Sequence, residues 1–68
     1  MLDPKKLTSE MKKKGYTNKS IAEAVSNMGV PLTKSALSGY RLGEYNPRLE
    51  VLSCLAKILS VKEQDLLK

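Results

Sequence analysis

Lys34-Ser35-Ala36-Leu37-Ser38-Gly39-Tyr40-Arg41-Leu42-Gly43-Glu44-Tyr45-Asn46-Pro47-Arg48 carries more structural information than any other segment of this 68-residue chain. Thr33 is a good N-cap, and the residues after it read as a short helix. Helical spacing turns Ala36, Leu37 and Tyr40 inward and leaves Lys34, Ser35, Ser38 and Arg41 on a polar, partly cationic outer face. Gly43 can close the helix in the left-handed conformation, and Glu44 to Pro47 then form a loop.

Upstream, a second short helix is expected from Thr17 to about Met28, with Ile21, Ala22, Val25 and Met28 at helical spacing. Gly29 can end it and Pro31 cannot continue it. A first helix is expected from Asp3 to Lys14, capped by Asp3, opened by Pro4 and closed by Gly15. Leu7 and Met11 form its buried stripe, and Lys12, Lys13 and Lys14 fall in its last turn. That lysine cluster is either a solvated helix end or a contact for phosphate. Downstream, a fourth helix runs from roughly Arg48 to Leu59. Leu49, Leu52, Leu55, Ala56 and Leu59 lie on one face, flanked by Val51 and Ile58. A last short helix spans about Lys62 to Leu67, giving five helices and no strand.

Size and composition narrow the function. Sixty-eight residues make one small domain, residues 1–68, and one this short buries only about 60% of its unfolded surface. A single cysteine, Cys54, allows no internal disulfide, and the absence of histidine removes the commonest zinc ligand. Cys54 reads as a small apolar residue of the fourth helix. Dimerisation is the remaining route to more buried surface. With no long apolar run and no signal peptide in Met1-Leu2-Asp3, the chain is expected in the cytoplasm, away from membranes. Residues 1–48 hold nine basic and four acidic groups, hence +5, whereas residues 49–68 hold three of each, hence zero. That asymmetry suits a front facing a polyanion and a back facing a second copy. A small basic all-helical chain with two short helices in this order is what a helix-turn-helix DNA reader requires.

The ordered motifs resemble the lambda-repressor-like, Cro-type helix-turn-helix domains known as the XRE family. Gly15-Tyr16-Thr17-Asn18-Lys19-Ser20-Ile21-Ala22-Glu23 is similar to the second helix of that family, with Ile21-Ala22-Glu23 where Leu-Ala-Glu is frequent. Lys34-Ser35-Ala36-Leu37-Ser38 resembles the start of its recognition helix. Gly43, Asn46-Pro47, Leu49-Glu50-Val51-Leu52, Leu55-Ala56-Lys57-Ile58-Leu59 and Val61 resemble its fourth helix and the approach to the fifth, and Asp65-Leu66-Leu67 its closing turn. The chain departs from the pattern between helices 2 and 3, where Ser26 to Leu32 replaces a shorter link. Arg41 also stands where glutamate is common, and Arg48 and Lys62 occupy usual cap positions. The longer link leaves the angle of helix 3 open.

The resemblance implies an all-α, compact five-helix lambda-repressor-like fold whose third helix enters the major groove. It assigns base contacts to Lys34, Ser35, Ser38, Gly39 and Arg41. Gly39 costs roughly 1 kcal/mol against alanine in a helix, so a bare position there suits a place where a side chain would collide with DNA or another helix. Arg41 either bonds Glu44 or reaches DNA, and Tyr40 is core packing. Phosphate contacts are expected from Thr17, Asn18 and Lys19 at the start of helix 2, and from Thr33, Tyr45, Asn46 and Arg48 around the groove. The implied function is a sequence-specific regulator of double-stranded DNA. A dimeric repressor of phage or mobile-element type, often autoregulatory, would bind an inverted-repeat operator through a dimer interface in Leu49 to Lys68.

Other classes fit less well. The chain shows no carboxylate pair, metal cluster or glycine-rich phosphate loop, so no enzyme activity, cofactor, metal or small-molecule ligand is expected. The alternative is an antitoxin or other protein-interaction module with secondary DNA binding, which usually needs a segment beyond the helices to cover its partner. Three tyrosines without phenylalanine or tryptophan are poor platforms for single strands. Helix 1 has too few large apolar groups for a membrane surface.

Overall fold

A computed structural model describes residues 1–68. Three helices begin on a side-chain oxygen that takes up an otherwise unpaired backbone N–H. Asp3 Oδ1 accepts from Lys5 N at 3.0 Å and starts α1, Pro4–Lys14. Thr17 Oγ1 accepts from Ser20 N at 3.1 Å and starts α2, Asn18–Asn27. Thr33 Oγ1 accepts from Ala36 N at 3.1 Å and starts α3, Lys34–Leu42. The fourth helix, α4, Leu49–Leu59, comes after Arg48 with no side-chain cap.

The four helices end alike. In each, a residue with positive φ turns the chain back so that two N–H groups reach carbonyls of the last turn. At α3, Gly43 at φ 79° lets its own N–H reach the Tyr40 carbonyl at 3.2 Å. The next residue, Glu44, reaches the Gly39 carbonyl at 2.9 Å. Glycine holds this position after α1, α2 and α3, but Ser60 holds it after α4, at φ 57°.

The expected fifth helix is corrected to a single 3₁₀ turn, η1, Glu63–Leu66. Lys62 N is held by Asp65 Oδ2 at 3.0 Å, and Leu67 N bonds three residues back to Gln64. The backbone must then extend, because Leu67 forms an isolated antiparallel bridge with Leu2. Asp3 N bonds the Leu66 carbonyl at 2.8 Å and Lys68 N the Met1 carbonyl at 3.0 Å. A further helical turn would abolish this strap. No β-strand is present, and the fold is four α-helices plus η1.

One cluster of 14 buried residues unites these elements, with Leu7, Met11, Ile21, Val25, Leu37, Leu55, Leu59 and Leu66 fully enclosed or nearly so. Tyr40 and Ala36 pack against it, half-buried, as the spacing required. Cys54 is buried on α4 and unbonded. Two expectations fail. Met28 exposes 44% of its surface because α2 stops at Asn27, so its side chain leaves the apolar stripe. Leu49 exposes 78%, while Val51, expected only to flank, is buried. At 3.6 residues per turn, Leu49 lies about 120° around α4 from Leu55, at the edge of the inward face and in the helix's first turn.

The long link from Met28 to Thr33 is anchored. Leu32 is buried in the core, Val30 N bonds the Val25 carbonyl at 3.4 Å, and Ser26 Oγ donates to the Leu32 carbonyl at 3.3 Å. Helix α3 is thereby tied to the end of α2. No helix is long and apolar enough to cross a membrane.

Candidate nucleic-acid interface

The start of α3 is open to solvent. Thr33, Lys34 and Ser35 are exposed and Ser38 is half-buried, while Leu37 on the opposite face is fully enclosed. Thr33 Oγ1 satisfies only the Ala36 N–H, so the remaining first-turn N–H groups and the partial positive charge of the helix face outward. Lys34 and Lys19 line one groove between α3 and α2. On the other flank, Thr33 and Arg48 line a second cleft that also borders Tyr40. The geometry therefore sets Lys19 and Arg48 on either side of the α3 entry.

At the start of α2, Thr17 and Ser20 cap each other. Thr17 Oγ1 accepts from Ser20 N, and Thr17 N donates to Ser20 Oγ at 2.8 Å. Ser20 escapes the sequence-based assignment of site residues, although a polar side chain three residues after Thr is a spacing that signals a reciprocal cap. The N–H groups of Asn18 and Lys19 have no partner within the protein. Lys19 is exposed and Asn18 half-buried.

Two of the residues expected at base edges have partners within the protein. Gly39 is buried, because the ring of Tyr45 folds back against it; a Cβ built there would overlap Cδ2 and Cε2 of that ring. The colliding group that favours a bare position is thus a tyrosine of the adjoining loop. Arg41 does not pair with Glu44. Its Nη1 donates to Asn18 Oδ1 at 2.6 Å and its Nε to Thr8 Oγ1 at 3.2 Å. The guanidinium is committed to α1 and α2. Thr8 lies 33 residues from Arg41 in sequence, and no local signal links them.

The remaining members are open. Tyr45 exposes 61% of its surface despite its contact with Gly39, and Asn46 and Arg48 are exposed. The lysine cluster of α1 divides. Lys13 and Lys14 both pair with Glu10, at 3.6 and 3.3 Å, and Lys14 also donates to the Leu59 carbonyl at 2.7 Å. Lys12 makes no such pair and borders a cleft with Lys5, Thr8 and Arg41. No group of His, Cys, Asp or Glu is arranged to hold a metal ion.

A family model described as helix-turn-helix matches residues 7–66. No curated protein and no solved structure matches the chain. The family match runs from α1 through η1, so the chain belongs to the helix-turn-helix family of the lambda-repressor and Cro type, whose members are DNA-binding regulatory domains.

Proposed function

We propose that this helix-turn-helix protein is a sequence-specific regulator of double-stranded DNA, with the first turn of α3 inserted in the major groove. The observation that carries this reading is the open start of α3, which bears Lys34 and is flanked by Lys19 on one side and Arg48 on the other. Lys34 can donate to guanine O6 or N7, and Ser35 and Ser38 offer hydroxyls that adapt to several bases. Thr17, Asn18, Lys19, Thr33, Asn46 and Arg48 grip phosphate on both walls of the groove and fix the register. Tyr45 contributes to that wall while its ring stays against Gly39. The backbone N–H groups of Asn18 and Lys19 add donors at the positive end of α2.

The active species in this reading is a dimer on an inverted repeat, which places two recognition helices about 34 Å apart. Self-association is supported by two large apolar side chains left in solvent, Leu42 at 71% exposure and Leu49 at 78%. The neutral segment Leu49 to Lys68 supplies the rest of that interface, free of the charge carried by residues 1–48. Occupying a promoter blocks polymerase without further chemistry, so the reading is a repressor in cytoplasm, of phage or mobile-element type and often acting on its own promoter. A gel shift on the DNA upstream of its own coding sequence, with sedimentation of the complex, tests this. A retarded band containing two protein copies is expected; failure to discriminate that DNA from random duplex would refute it.

A further inference from the structure

Arg41 is a cation without an ion-pair partner. The two ion pairs of the protein join Lys13 and Lys14 to Glu10, and neither includes Arg41. Its two hydrogen bonds go to neutral oxygens, Thr8 Oγ1 and Asn18 Oδ1. One cleft it borders contains Lys5 and Lys12; a second contains Lys5, Lys68 and Asp3, but no ion pair joins Arg41 to Asp3. The bond to Asn18 has a chemical consequence. Guanidinium has only donors, so the Asn18 atom facing it must be the amide oxygen. The amide NH₂ is therefore turned the other way, and it makes no hydrogen bond within the protein. Asn18 is also the first residue of α2, where its backbone N–H is free.

We propose that Arg41 is a positioning residue for DNA binding: it takes the Asn18 oxygen, so that the Asn18 amide presents N–H donors to a backbone phosphate of the duplex. This rests on the DNA-binding reading and assigns Arg41 a task within it. The acceptor end of the amide would repel a phosphate oxygen, whereas the donor end binds it. A free asparagine on a helix start samples both orientations. Arg41, reaching across from α3 with a second bond to α1 through Thr8, removes that choice. Its own charge is taken up by no ion pair and lies beside Asn18. Arg41 thus acts on every sequence equally, because a phosphate carries no base information.

The test measures binding of the full chain to two duplexes, one of mixed sequence and one selected from a random pool. Arg41→Lys keeps the charge but cannot hold Thr8 and Asn18 together. It is expected to weaken both duplexes by the same factor, about tenfold, with an unchanged salt slope. Arg41→Lys in an Asn18→Ala background is expected to cost nothing further. Independent losses in the double variant, or a change in the ranking of sequences, would overturn the proposal by showing that Arg41 touches DNA itself. Asn18→Asp supplies a readout that does not depend on Arg41 variants folding. Its carboxylate pairs with Arg41, so the melting temperature should hold or rise, while binding to both duplexes falls more than about tenfold. Unimpaired binding by Asn18→Asp would overturn the proposal. A wild-type protein that binds neither duplex would overturn the DNA reading itself, and this inference with it.

Discussion

The ring of Tyr45 occupies the space beside Gly39 that the Cβ of any other residue would fill. The backbone imposes this approach. Glu44 N–H bonds the Gly39 carbonyl at 2.9 Å, which reverses the chain over the last turn of α3 and delivers Tyr45 onto it. The loop and α3 are therefore fitted to each other.

This contact makes the two positions interdependent. Alanine is favoured over glycine in a helix by about 1 kcal/mol. In a Tyr45→Ala background, Gly39→Ala should recover that full amount in denaturant unfolding. In the wild-type background the gain should vanish, since the new methyl must displace the ring. An equal gain in both backgrounds would show that the ring does not rest there in solution.

Ser60 closes α4 with φ 57° and ψ 42°, a conformation that costs a residue with a Cβ and not a glycine. The other three helices have glycine at the matching position. Ser60→Gly should therefore stabilise the fold by about 0.5–1 kcal/mol, read as a higher denaturant midpoint with an unchanged slope. A loss of stability would mean that the Ser60 side chain contributes something its geometry does not reveal.

Two leucines of α4 should respond oppositely to truncation. Leu55 is fully enclosed, so Leu55→Ala should cost about 2–5 kcal/mol, enough to unfold much of a domain this small. Leu49 is 78% exposed, and Leu49→Ala should stay within about 0.5 kcal/mol in monomer stability. Thermal melts at low protein concentration separate the two. A large loss for Leu49→Ala would restore it to the core.

The same pair marks what the sequence can and cannot reveal. Caps and glycines are local signals, so Asp3, Thr17, Thr33, Gly15 and Gly43 place the ends of α1 and α3 and the start of α2 well. Leu7 and Met11, or Ile21 and Val25, repeat at the helical period and are legible as core. Leu49 misleads because it lies only about 20° around the helix from buried Ala56, seven residues on, yet falls in the first turn at the edge of that face. The 3₁₀ turn is hidden by a non-local cause, the bridge between Leu2 and Leu67. In the candidate site, the open residues Lys34, Ser35, Lys19 and Arg48 can be named from pattern and resemblance. The bonds of Arg41 to Thr8 and Asn18 cannot, since they join three helices that only the tertiary fold brings together.

Lys34 and Arg48 should separate the two modes of recognition. In the proposed complex Lys34→Ala removes a donor to a base edge, so it should cost roughly 1–3 kcal/mol at one base pair while relaxing discrimination there. Arg48→Ala removes a proposed phosphate partner, so it should weaken all duplexes alike and reduce the salt slope by about one. Binding isotherms on selected and random duplexes at several salt concentrations distinguish these outcomes. Identical behaviour of the two variants would displace α3 from the groove.

The most direct measurement is a titration of ¹⁵N-labelled protein with its selected duplex, tracked amide by amide. If the open start of α3 enters the groove, the largest shifts fall on Thr33 to Ser38 and on Thr17 to Lys19, with smaller ones at Arg48 and none at Leu55. Shifts confined to other residues, with Lys34 and Ser35 unmoved at saturation, would contradict the account.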